Sequence, residues 1–202
     1  MSAAQPTYLR PYVAAARRHG GTFRSLLWES RAAQKARFHA LARVCDFEGR
    51  SILDVGCGRA DLLDYLLSRR IRPSHYTGLE AVESLANAAR LKKRADSKII
   101  RADFIADSRA MGVGADILVF SGSLTMLGSG AFFATLRKAY RAAGREVAFN
   151  FLASPLLAGE AFLHWHQPNA VRRFAEALGG EVVMLQDYLE GDCTVRVRKK
   201  CD

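Results

Sequence analysis

The chain has 202 residues, 50% of them hydrophobic, and 30 Lys and Arg against 20 Asp and Glu leave a net charge of +10. That length suits one domain, large enough to bury most of the surface its unfolded chain exposes. No apolar run reaches the roughly 18–20 residues that span a bilayer, and the opening MSAAQPTYLRPYVAAARRHGG lacks the apolar stretch of a secretory signal. Membrane-spanning and secreted classes are thus excluded as expectations. The cysteines Cys45, Cys57, Cys193 and Cys201 form no C-x-x-C pair, and no Cys or His stands at zinc-ligand spacing. A cytoplasmic chain with free thiols and no metal is expected. The positive charge draws polyanions, so RNA stays among the possible partners. Its densest runs, at 17–18, 69–72, 92–94 and 196–200, are short and read as solvated helix faces and strand ends.

Residues 1–44 read as an N-terminal helical cap or extension to a domain over 45–202. In LLWESRAAQKARFHALARV, Leu27, Gln34, Phe38 and Leu41 fall near one stripe at helical spacing. A Gln among apolar neighbours sits at the edge of the buried face or satisfies something polar. From Ser51 onward, β-branched runs alternate with helical periodicity. Strands are expected at 51–56, 75–80, 98–103, 115–122 and 145–152, with helices at about 60–69, 82–94, 130–143 and 168–179. Continuous apolar runs mean strands buried on both faces, hence a doubly wound, mostly parallel sheet. The end differs: 181–188 and 192–199, joined by a tight Leu-Glu-Gly turn, read as a hairpin whose last strand is antiparallel.

In SILDVGCGRADLLDYLL (51–67), Asp54 ends the first strand, Gly56 and Gly58 make the turn, and the next helix starts near Ala60 or Asp61. Ligands of open α/β sheets bind beyond the strands' carboxyl ends. A dinucleotide fingerprint would place a third small residue at position 61. Asp61 stands there instead, and a carboxylate at a helix N-terminus favours cations and repels a pyrophosphate. Glu80 ends the second strand, where a carboxylate accepts ribose hydroxyls. Asp103 ends the third, placed to take a proton from an adenine amino group beside Phe104. The loop reads as a seat for a cationic nucleoside without phosphate.

The motifs D54-V-G-C-G58, G78-L-E80, A102-D103-F104 and F120-S-G-S resemble motifs I to IV of class I S-adenosylmethionine-dependent methyltransferases. The resemblance covers about residues 45–200 and implies a seven-stranded Rossmann-like sheet with a reversed last strand. It also implies S-adenosyl-L-methionine as cofactor, a sulfonium and ammonium ligand without phosphate. By it, Asp54, Gly56, Cys57 and Gly58 hold the methionine end, Cys57 serving as a small residue rather than a reactive thiol. Glu80 and Ala81 border the ribose, Asp103 and Phe104 the adenine, and Leu85 packs on the adenine face. Ser121 and Gly122 line the methionine side. The segment 30–38, SRAAQKARF, is similar to small bacterial methyltransferase-like proteins in which a Gln on a helix before the sheet approaches the cofactor, which implies that role for Gln34.

The methyl acceptor is less legible. FSGSLTML (120–127) holds no polar-Pro-Pro-aromatic run of the kind used on amino groups of bases, and there is no Pro-Cys for attack on a pyrimidine. Candidate acceptor residues lie in AGEAFLHWHQPNA, where Glu160, His164, Trp165 and His166 offer a base and a stacking surface. The alternative is an aromatic plug. Tyr8, Tyr12 and Trp28 form either a lid or the apolar contacts of a cap helix. His164 and His166 are the catalytic candidates. The expected function is methylation of a small molecule; an RNA methyltransferase, a non-catalytic S-adenosylmethionine-binding scaffold and a nicotinamide dehydrogenase stay open beside it.

Overall fold

A computed structural model describes residues 6–200 of the chain. Cys201 and the first five residues of the expected cap lie outside the described residues. Helix α1 (Arg10–His19), a 3-10 turn at Phe23–Leu26 and α2 (Arg31–Val44) precede the sheet. Then β1 (Ser51–Val55), α3 (Asp61–Ser68), β2 (His75–Glu80), α4 (Glu83–Leu91), β3 (Ser97–Arg101) and β4 (Ile117–Phe120) follow in turn. The remainder is α5 (Ser129–Ala142), β5 (Glu146–Leu152), α6 (Pro168–Glu176), β6 (Glu181–Leu185) and β7 (Asp192–Arg198).

The seven strands lie in the order β3-β2-β1-β4-β5-β7-β6. β7 is inserted between β5 and β6 and runs antiparallel to both. The doubly wound, mostly parallel sheet with a reversed last strand is therefore as expected. The expected tight turn is corrected: residues 186–191 separate β6 from β7. That segment is long because Tyr188 folds inward, its hydroxyl donating to Asp192 Oδ1.

Alternation along the strands splits the core. Leu53, Val55, Leu118, Phe120, Val147 and Phe149 face α5 and α6, where Phe132 is fully buried among aromatic rings. Burying a side chain of that size contributes about 2–3 kcal/mol. Ile52, Tyr76, Val119 and Ala148 face α2, α3 and α4, meeting Phe38, Leu41, Leu62 and Leu66. The polar residues of the same parity, Asp54, Asn150 and Thr194, therefore sit beneath α2. Helix α2 starts where Ser30 Oγ accepts from Ala33 N, so Leu27 is not on its stripe: it lies before the helix in a left-handed conformation (φ 56°).

Candidate functional site

The order of strands reverses between β1 and β4, and a cavity of about 450 Å³ opens beyond their carboxyl ends. A second, much smaller pocket of about 30 Å³ lies beside it, under α2. Both touch Leu26, Trp28, Gly56, Gly58 and Ser121. The glycine turn explains why. Gly56 and Gly58 have φ of +76° and +55°, conformations that cost L side chains about 1–2 kcal/mol. A Cβ on Gly58 would meet Leu26 Cδ2 at 2.6 Å, and one on Gly56 would strike Ser123. Ser123 Oγ donates to Val55 O at 2.5 Å, which draws the β4 tip across the β1 tip.

Around the small pocket stand Asp54, Gln34, Cys57 and Asp61. Asp54 is 2% exposed and accepts a hydrogen bond from the Tyr76 hydroxyl at 2.6 Å. Burial dominates its ionisation and pushes its pKa up to about 7, against the pull of that bond. Gln34 is buried and donates to Asp61 Oδ2 across 3.4 Å, so the Gln does satisfy something polar. The reading of Asp61 needs correction. Lys92 Nζ lies 2.6 Å from both Asp61 Oδ1 and Asp64 Oδ2 and neutralises the charge that was expected to repel a phosphate. Cys57 Sγ is buried against β2, where a Cβ on Gly78 would meet it at 2.6 Å; burial pushes that thiol well above its ordinary range.

The large cavity takes the other residues expected from the sequence. Glu80 accepts from Gly58 N at 2.8 Å and from Val82 N at 2.7 Å, and burial raises its pKa. Its carboxylate thus ties the glycine loop to the end of β2 while facing the cavity. Ala81, Leu85, Phe104, Ser121 and Gly122 also line it. Asp103 caps a turn and faces the cavity. Its Oδ1 caps the turn at Ile105 N and Ala106 N, and its Oδ2 accepts from the Tyr8 hydroxyl at 2.8 Å on the cavity wall.

The N-terminal aromatics border the cavity. Tyr8, Tyr12 and Trp28 line it, and the Trp28 ring lies where a Cβ on Gly122 would be, 2.9 Å away. Burial, with Glu80 nearby, pushes the Tyr12 hydroxyl up to about 12. Glu160 also reaches the wall. The catalytic candidates do not. His166 is a core side chain, 5% exposed and stacked on Phe132 at 3.9 Å, and burial lowers its pKa. His164 is exposed outside the cavity, with Trp165 beside it. Apolar β5 and α5 residues compete for the space beneath this loop and draw His166 inward.

Sequence reasoning missed Arg37, Thr125 and a buried polar chain behind the wall. Arg37 Nε donates to Asp192 Oδ2 at 2.6 Å, and its guanidinium lies 4.8 Å over the Trp28 ring. Asp192 Oδ1 accepts from Tyr188, whose hydroxyl accepts from Thr194 Oγ1 at 2.7 Å. Thr194 in turn accepts from Asn150 Nδ2 at 2.5 Å, and Asn150 Oδ1 from Ser121 Oγ at 3.2 Å. The parity of polar residues was the available signal, since Asn150 in β5 and Thr194 in β7 lie opposite each other on one face.

Neither a family model nor a curated protein sequence matches the chain. Solved structures do. Magnesium protoporphyrin IX methyltransferase from Synechocystis PCC 6803, with bound S-adenosylmethionine, gives a TM-score of 0.71 at 12% identity over 99% of this chain and 100% of that one. DhpI in complex with S-adenosylhomocysteine gives 0.70 at 18% identity, over 95% of each chain. A methyltransferase from Archaeoglobus fulgidus gives 0.64 at 18% identity, over 84% of this chain and 95% of that one. With its strand order, reversed β7 and cavity at the switch point, the chain has the fold of the class I S-adenosylmethionine-dependent methyltransferases.

Proposed function

We propose that the protein is an S-adenosylmethionine-dependent methyltransferase acting on a small molecule. The observation that carries this is a pair of buried carboxylates, Asp54 and Glu80, at the two ends of the glycine turn, neither of which has an ion-pair partner among the described residues. A buried carboxylate held by hydrogen bonds but paired with no cation is costly, and a ligand ammonium or hydroxyl offsets part of that cost. The donor set therefore fits a cationic nucleoside. Asp54 and Gln34 would hold the ammonium end and Glu80 the ribose hydroxyls. Asp103 and Leu85 would border the base. When bound, the cofactor supplies an electrophilic methyl group.

The chain's own residues do the rest. Glu80 fixes the glycine turn, Ser123 fixes the β4 tip against it, and Trp28 with Tyr12 forms part of the cavity wall. Alignment of two reactants in such a closed space is the main contribution a methyltransferase makes. A cavity of about 450 Å³ walled by Tyr8, Tyr12 and Trp28 and largely apolar elsewhere favours a small acceptor over RNA.

Isothermal calorimetry with S-adenosylhomocysteine tests the cofactor. The wild type is expected to bind in the micromolar range and Glu80→Gln at least about tenfold more weakly, since bonds to a charged group are worth about 1.5–3 kcal/mol. No heat with either S-adenosylmethionine or S-adenosylhomocysteine overturns the proposal. Incubation with labelled S-adenosylmethionine and fractionated extract then asks whether label enters metabolites, RNA or protein.

A further inference from the structure

Beyond the cofactor residues the cavity wall is largely apolar, formed by Met126, Leu127, Leu152, Leu157, Leu163 and Leu189. One cation breaks it. Among the described residues that line the cavity, Arg37 alone carries a positive charge. Its side chain keeps 11% exposure, whereas that of Asp192 behind it has 0%, so the cavity meets the cation and not its counter-ion.

Arg37 is also held still. Asp192 takes the Nε and Nη2 edge of the guanidinium, and the Trp28 ring lies against its face. Asp192 is itself fixed by Tyr188, Thr194 and Asn150, in a chain whose donors all point toward it. A guanidinium fixed on one edge and one face presents its remaining N–H groups in a set direction, the arrangement that suits a planar oxyanion. Tyr12 and Thr125 add hydroxyls to the same wall. Glu80 and Asp103, assigned to the cofactor, also line the cavity, as do Glu29, Glu160 and Glu190, which are exposed to solvent.

We infer that Arg37 is the specificity-determining residue for the acceptor, which is a small, mostly apolar molecule carrying a carboxylate that docks on the free edge of Arg37. This rests on the methyltransferase reading for calling the ligand an acceptor; the anion site itself does not depend on it.

Calorimetry of the full chain, with and without saturating S-adenosylhomocysteine, compares octanoate, octylamine and octanol as probes of one chain length and three charges. Octanoate is expected to bind about 10–100-fold more tightly than octylamine, the range of a charge-assisted hydrogen bond. Arg37→Met is expected to erase that preference and Arg37→Lys to keep only part of it, with S-adenosylhomocysteine bound by both variants as by wild type. A purely structural Arg37–Asp192 tie would lower stability in Arg37→Met and leave the preference for octanoate intact, which overturns the inference. Equal binding of the three probes by the wild type, or preference for the amine, overturns it without any variant. Octanoate preference lost in Arg37→Met, in a wild type that takes no S-adenosylhomocysteine, would sink the methyltransferase reading and sustain this one.

Discussion

On the proposed reading, Asp54 would couple cofactor binding to proton release. In the free protein its pKa stands at about 7, chiefly because burial disfavours the charged form. A bound ammonium favours the carboxylate and returns the group toward its ordinary value. At pH 6 a group of pKa about 7 is roughly 90% protonated, so ligand binding there should expel about 0.9 proton from Asp54. At pH 8 that contribution falls to about 0.1 proton by the same reasoning. The assay is calorimetry with S-adenosylhomocysteine at pH 6 in buffers of different ionisation enthalpy; the slope of observed heat against that enthalpy counts the protons. Asp54→Asn should remove most of the slope. The same shift sets the stability of the free protein. Because the folded pKa exceeds the unfolded one, the folded state binds more protons between pH 3.8 and about 7, and stability falls as pH rises through that window. Asp54→Asn, which still accepts from Tyr76, should flatten this fall in thermal melts. A slope near zero at pH 6, or a wild-type slope in Asp54→Asn, refutes the reasoning.

Two further outcomes follow from geometry. Gly58→Ala places a methyl group against Leu26 at a φ of +55°; it should cost about 1–2 kcal/mol in denaturant melts and weaken S-adenosylhomocysteine at least about tenfold, and wild-type affinity would contradict the role given to the turn. His166→Ala should cost about 2–4 kcal/mol of stability by removing the ring stacked on Phe132, as core truncations do, yet leave ligand affinity of the folded protein unchanged. Loss of turnover at full stability in that variant would restore His166 as a catalytic residue.

The architecture was legible because period and composition agreed. SILDV, HYTGLE and EVAFNFL are mostly apolar runs with few breaks, and each became a largely buried strand between two helical layers. The glycine turn was legible too, since two glycines one residue apart after a strand have few other uses. What stayed hidden is long-range. Nothing local tells that Lys92 neutralises Asp61 across 31 positions, or that Arg37 finds Asp192 across 155. His164 and His166 misled for the opposite reason: both lie in one short segment, but one turned inward to aromatic rings and the other stayed in solvent. Leu27 was assigned to a helical stripe by spacing, while the left-handed backbone that ends the 3-10 turn before it is invisible to spacing.

The seat of β7 has a consequence for how the protein is made. Six strands precede it in the sequence, yet it lies inside the sheet between β5 and β6. It also carries Asp192 and Arg196, which bind α2 through Arg37 and the Val44 carbonyl. A chain emerging from the ribosome would thus present a finished glycine turn long before α2 has its partner. Contacts between residues so far apart form late and slow folding. The part of the cavity wall formed by Leu189, and by Arg37 held on Asp192, is therefore complete only once β7 is seated.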